Sequence, residues 1–180
     1  MTDSYLLDTN ILGYIANKKN ATKGQLLERQ LATIDEDLLF ISIITVAEVQ
    51  YGIKLKNDLT NEFVQQINAV MEKFPKVLDI NKHVCEAYGN LRAELFKKCG
   101  KKDKKGRMKG KWVEELINPT TGKKLCLQEN DIWIAATALT HNLILVTTDE
   151  KAIKSFKDII GEELKVRNWL NPKLYTPGFF

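Results

Sequence analysis

The chain has 180 residues, 44% of them hydrophobic and 28% charged, with a net charge of +4 at pH 7. That balance belongs to a soluble globular chain of about one domain, and it excludes a disordered, fibrous or disulfide-stapled protein. The longest apolar stretch, Leu38 to Val49, holds Ser42, Thr45 and Glu48 and falls well short of the roughly 18 residues of a membrane span.

The first residues contain Asp3 and Asp8 and no basic stretch, which argues against a signal peptide and for a cytoplasmic protein. Tyr5-Leu6-Leu7 reads as a short buried strand running into Asp8-Thr9-Asn10, a helix cap. Leu27, Leu31 and Ile34 keep helical spacing. Leu38 to Ile44 is apolar on both faces, as in a strand covered by helices on both sides. Thr45 to Leu55 predicts a helix, with Val46, Val49 and Ile53 on one face. Phe63, Ile67, Val70 and Phe74 mark another, stopped by Pro75. Val77 to Ile80 reads as a short strand, and Val84, Tyr88, Leu91 and Leu95 as a long helix after Asn81.

A basic insert at about 99–127 then breaks the pattern. Residues 97–124 hold eleven Lys or Arg against Asp103, Glu114 and Glu115, a net +8 that leaves −4 for the rest of the chain. The insert opens with a Lys/Gly run too polar to pack. It closes with Trp112–Ile117 and Lys124–Leu127 around a Pro/Gly turn, which predicts a hairpin. Regular structure resumes with the helical stripe Ile132, Ala135, Ala136 and Leu139. A strand over Leu143–Thr147, a helix over Lys151–Phe156 and a last strand over Leu164–Trp169 follow. Alternating strands and helices predict an α/β fold on a mainly parallel sheet, with residues 1–180 as a single domain.

Four acids fall where such folds bind ligands, at the carboxyl ends of strands or in the first turns of helices. They are Asp8, Glu48, Asp131 and Asp149. Each also has a local explanation. Asp8 and Asp149 suit helix N-caps, Thr45 and Glu48 have capping-box spacing, and Asp131 after a cap at Asn130 would favour a helix dipole.

The surrounding residues discriminate. Tyr5-Leu6-Leu7-Asp8-Thr9-Asn10-Ile11-Leu12 resembles the opening of a PIN domain. Thr45-Val46-Ala47-Glu48-Val49-Gln50-Tyr51-Gly52 resembles its second motif, Asn130 to Ala138 its third, and Leu145-Val146-Thr147-Thr148-Asp149 its fourth. Arg167-Asn168-Trp169-Leu170 is similar to the last strand of the VapC-type toxins. The resemblance implies a three-layer α/β/α fold and a metal-dependent ribonuclease. It carries metal binding to Asp8 and Asp131, with Glu48 and Asp149 completing the site through water or a second ion, and Thr147 orienting the cluster. Asn10 reads as a helix-capping residue.

Clustered carboxylates repel one another, and a hard divalent ion relieves the repulsion, so an all-oxygen set favours Mg²⁺ or Mn²⁺ over zinc. The expected reaction is hydrolysis of RNA by metal-activated water, leaving 5′-phosphate and 3′-hydroxyl ends. The resemblance further implies a homodimer and a cognate VapB-type antitoxin that lays a peptide along the toxin. Lys101, Lys102, Lys104, Lys105 and Arg107 are candidate RNA contacts, and Trp112 either stacks on a base or packs under the hairpin. Arg92 reads as a solvated face residue, with contact to a substrate phosphate as the alternative, and His83 and His141 read as surface or cap residues. Three cysteines, Cys85, Cys99 and Cys126, make neither a disulfide framework nor a zinc site. Competing functions are an aspartyl phosphotransferase, disfavoured by Asn10 where a second Asp is usual, a non-catalytic PIN module, and an RNA-processing PIN nuclease outside a toxin system.

Overall fold

The computed structural model describes residues 2–17, 21–55 and 60–171. Its central sheet has five strands, all parallel: β1 (Tyr5–Leu7), β2 (Leu39–Ser42), β3 (Val77–Leu78), β6 (Ile144–Val146) and β7 (Val166–Arg167). Their order is β3-β2-β1-β6-β7. The chain leaves β1 for a neighbour on one side and later returns as β6 on the other. The carboxyl ends of β1 and β6 are therefore the topological switch point, where open α/β sheets form their crevice. Leu7 is in register with Val146, so Asp8 and Thr147 emerge side by side.

Seven helices among the described residues cover the sheet. Alternation along β1 divides the core. Leu7 faces the layer of α1 (Thr9–Ala16), α2 (Ala21–Leu31), α3 (Ile43–Leu55) and α4 (Asn61–Glu72). Leu6 faces α5 (Lys82–Cys99), α6 (Glu129–Thr140) and α7 (Glu150–Ile159). The expected three-layer arrangement is present. Local chemistry sets the helix starts: Thr60 accepts from the Phe63 N–H, and the Asn81 side chain from those of His83 and Val84. Gly24 lets α2 approach α1, since a Cβ there would lie 2.9 Å from the Tyr14 carbonyl oxygen.

Three local expectations are corrected. Strand β2 ends at Ser42, whose hydroxyl accepts from the Ile44 N–H, and α3 begins at Ile43. The proposed Thr45–Glu48 capping box therefore does not form. Thr45 lies inside the helix, its hydroxyl buried and without a hydrogen-bond partner, the one such side-chain atom among the described residues. Helix α6 is capped by Gln128 rather than Asn130, with Asp131 at the third position accepting from the Gln128 N–H at 2.7 Å.

The insert differs most. Its antiparallel hairpin is β4 (Lys101–Lys102) with β5 (Met108–Lys109), inside the Lys/Gly run. The residues expected to pair as strands instead form a 3-10 turn at Val113–Glu115 and a single bridge between Ile117 and Lys124. The reason is burial. Val113, Leu116, Leu125 and Leu127 all sit in the main core, so both ends of the insert belong to the fold and only its middle is solvated. Within the hairpin the Asp103 carboxylate accepts from the Lys105 and Arg107 N–H groups, and Gly106 takes φ +77°.

Candidate active site

The cleft at the switch point has a volume of ≈ 610 Å³, and Asp8, Glu48, Asp131 and Asp149 all line it. Each comes from a different element. Asp8 follows β1 and caps α1, Glu48 sits in α3, Asp131 lies in the first turn of α6, and Asp149 caps α7. Capping and clustering are thus not alternatives: Asp8 and Asp149 do both.

The hydrogen bonds show how the acids are held. Asp8 Oδ1 accepts from the Thr9 N–H at 2.7 Å. Its Oδ2 accepts from the Asn10 amide at 2.6 Å and from the Thr147 hydroxyl at 2.6 Å. Asn10 does not cap the helix. Its amide also reaches Thr147 Oγ1 at 2.8 Å, and its side-chain oxygen accepts from the Thr148 N–H at 3.1 Å, tying β1 to the end of β6. Glu48 Oε2 accepts a short hydrogen bond from the Thr9 hydroxyl, and Oε1 accepts from the Asn130 amide at 2.9 Å. Asp149 Oδ1 accepts from the Lys151 and Ala152 N–H groups. The other oxygens, Asp131 Oδ1 and Asp149 Oδ2, take no hydrogen bond from the described residues.

The electrostatics reflect crowding in a half-buried place. Burial pushes the Asp8 carboxyl up to about 6 against the pull of Thr147 and Thr9, and the charges of Glu48 and Asp149 add to the rise. Asp131 is raised to about 7, first by burial and then by Asp8, Glu48 and Asp149. Two of the four thus resist ionisation, first because they are buried and then because other carboxylates stand near them. As the side chains stand, no group of three or more His, Cys, Asp or Glu among the described residues is preassembled around a common metal position. In donor type, charge and location the set nonetheless fits a hard cation. All four groups are carboxylates, their repulsion is what a divalent ion would relieve, and both unused oxygens belong to residues on the cleft wall.

Sequence reading named Thr147 beside the acids but overlooked other residues that hold them. Thr9, Asn10 and Asn130 each orient a carboxylate, and the only hint in the sequence was their adjacency to the acids. Arg92 is not a solvated residue: its guanidinium pairs with Glu129 at 2.8 Å and donates to the Lys111 carbonyl at 2.6 Å, fastening the insert to the start of α6. Glu129 also accepts from the Tyr88 hydroxyl, which burial and then Glu129 push up to about 12. Trp112 is 62% exposed and does not pack under a hairpin. Lys101, Lys102, Lys104, Lys105 and Arg107 are all exposed on the insert, outside the cleft wall. The cysteines are free thiols, and Cys126 lines the cleft with φ 57°. His83 is exposed, and His141 is the exposed C-cap of α6.

A five-stranded parallel sheet with acids from four elements at its switch point is the arrangement to be compared with known proteins. The PIN domain model matches residues 5–159, and the chain belongs to the PIN-domain family. Among its relatives is ribonuclease VapC2 of Haemophilus influenzae, 29% identical over 169 residues that cover 92% of this chain and 98% of that protein. The VapC2 ribonuclease of Rickettsia felis is 27% identical over 165 residues, covering 92% and 97%. Among solved structures, VapBC2 from Rickettsia felis bound to a DNA fragment from its promoter aligns with a TM-score of 0.60 at 28% identity, covering 92% of this chain and 98% of that one. VapBC-1 from nontypeable Haemophilus influenzae gives 0.60 at 26%, with the same coverage.

Proposed function

We propose that this protein is an endoribonuclease, dependent on Mg²⁺ or Mn²⁺, that serves as the toxin of a toxin–antitoxin pair. The observation that carries the reading is the convergence of four carboxylates from four separate elements on one cleft, in a chain whose relatives over almost their whole length are VapC ribonucleases. Asp8 and Asp131 would bind the ion directly, and Glu48 and Asp149 would complete the site. When bound, the ion supplies charge neutralisation, a Lewis acid for the phosphodiester and a more acidic water.

The chain's own residues do the rest. Thr147 and Asn10 fix the Asp8 carboxylate in one orientation, and Thr9 with Asn130 does the same for Glu48. Asp8 and Asp131 would have to lose their protons to hold the ion, so loading would release acid below neutral pH. Asp131 Oδ1 and Asp149 Oδ2, which take no hydrogen bond from the described residues, are the oxygens left for the ion or its water. No histidine lines the cleft among the described residues, so proton transfer falls to these carboxylates.

The partners follow the same reading: an RNA substrate, a second copy of this chain, and a VapB-type antitoxin, since the related VapC chains crystallise as VapBC complexes. No described helix is long and apolar enough to cross a membrane. The test is sequencing of the RNA 5′ ends that appear when the protein is expressed. Discrete 5′-phosphate ends are expected with wild type and none with Asp8→Ala. Cleavage by Asp8→Ala, or cleavage untouched by EDTA, overturns the reading.

A further inference from the structure

A second cavity of ≈ 380 Å³ is built by the insert and the end of α5, two residues along the chain from the acidic cleft at Lys124 and Cys126. Its wall is apolar, with Phe96, Leu116 and the exposed ring of Trp112, and it is bordered by Lys101, Lys109 and Lys124. We propose that this cavity is a subsite for single-stranded RNA, in which a base stacks on Trp112 and the three lysines hold its flanking phosphates. The inference rests on the ribonuclease reading and adds the form of substrate to it.

Three observations support it. Lys101 and Lys109 are cross-strand partners in the β4–β5 hairpin, so two like charges stand directly opposite each other. Such a pair weakens a hairpin unless an anion lies between the ammonium groups. None of the three lysines has a side-chain ion pair or hydrogen bond among the described residues, while Arg107 next door is paired with Asp103. Glu115 is the one acid on the wall.

Secondly, a tryptophan with 62% of its surface in water is poorly used as a packing residue, and an aromatic face beside cations is how single strands are bound without regard to sequence. Thirdly, the cavity adjoins the cleft through a short piece of chain. Lys124 lines the cavity and Cys126 lines the cleft, with Leu125 and Leu127 anchored in the core on alternate positions. Arg92 fixes Lys111, beside Trp112, to Glu129 at the start of the helix that carries Asp131. A strand lying in the acidic cleft has its continuation over this segment, where a body of net −4 gives way to an insert of net +8. An acidic peptide would satisfy the lysines without a ring for the Trp112 face unless an aromatic or Arg residue fell at that point, whereas every nucleotide of RNA supplies both.

The experiment is anisotropy of a fluorescein-labelled, mixed-sequence, single-stranded RNA with the full chain in EDTA, read as Kd against salt, beside cleavage assays with metal. Trp112→Ala is expected to weaken binding about tenfold and Trp112→Phe to restore most of it. Replacing Lys101, Lys109 and Lys124 together by Gln should flatten the slope of log K against log salt by about 2, from about 0.7 per phosphate contact on a single strand. Trp112 fluorescence should quench on binding. Unchanged Kd and slope in every variant, with a wild type that cleaves RNA, overturns the subsite and leaves the ribonuclease reading standing. A wild type that neither binds nor cleaves RNA overturns both. Variants that bind RNA normally but no longer hold a co-expressed antitoxin show the cavity to be a protein interface and overturn the proposal.

Discussion

The acidic cleft and the basic insert solve opposite electrostatic problems. The cleft gathers like charges from residues 8 to 149 into a half-buried space, where each ionisation makes the next harder. The insert spreads its charges over solvated side chains within one stretch of sequence, where water screens them. Crowding of the first kind is tolerated because the sheet, held elsewhere by its core, imposes it. The lesson is that the cleft carries stored unfavourable charge that a ligand can relieve, whereas the insert carries charge that is merely available.

The largest effect should come from the cleft. Asp8→Asn keeps an oxygen for the Thr9 N–H but loses the one that accepts from Asn10 and Thr147 and the charge proposed to bind metal, and RNA cleavage is expected to fall by about a hundredfold or more, beyond the roughly 10–100-fold that follows when only a residue supporting a metal ligand is changed. A gel assay against wild type checks it, and a loss of less than tenfold would make Asp8 a cap and nothing more. On the insert side, Leu127→Ala should cost about 2–5 kcal/mol of folding stability by denaturant titration, because Leu127 is fully buried. A smaller loss would mean that the insert's ends are not part of the core.

The stored charge has a signature in pH. Asp8 and Asp131 hold protons in the folded protein up to about 6 and about 7, whereas an unfolded aspartate releases its proton near 3.8. The native state therefore binds more protons across that window, and the metal-free protein should lose several kcal/mol of stability as pH rises from about 4 to about 7. Melting in EDTA against pH measures this, and Mg²⁺ should restore the loss. A flat profile breaks the contrast between the two regions. Thr147→Val removes the hydrogen bond that holds the Asp8 carboxyl down, so it should raise the metal concentration needed more at pH 6.5 than at pH 8.5. The smallest effect belongs to Arg107→Ala, which breaks an exposed pair with Asp103 and should leave the melting temperature unchanged.

Most of the sheet and its helices was legible because strands buried on both faces and amphipathic helices have distinct periods. The errors came where two devices compete for the same residues. Ile43 and Ile44 are β-branched and read as strand, yet Ser42 caps α3 ahead of them. Asn130 and Asp131 are better caps by type than Gln128, but Asn130 is spent on Glu48. In the insert, Val113, Leu116, Leu125 and Leu127 are apolar because they fill core, so their pattern imitated strands. The actual hairpin is specified by Asp103 and Gly106, a turn pattern present in the sequence and overshadowed by the lysines around it. The acids could be found from family motifs, but Thr9, Asn10 and Asn130, which aim them, could be found only from contacts spanning up to 138 positions.

The most direct test is calorimetric titration of the EDTA-treated, dialysed protein with Mn²⁺ at pH 6, repeated in two buffers of different ionisation enthalpy. Saturable binding with release of protons, lost in Asp8→Asn combined with Asp131→Asn, is the predicted result. Binding that survives in the double variant, or wild type that takes up no ion and releases no proton, would contradict it.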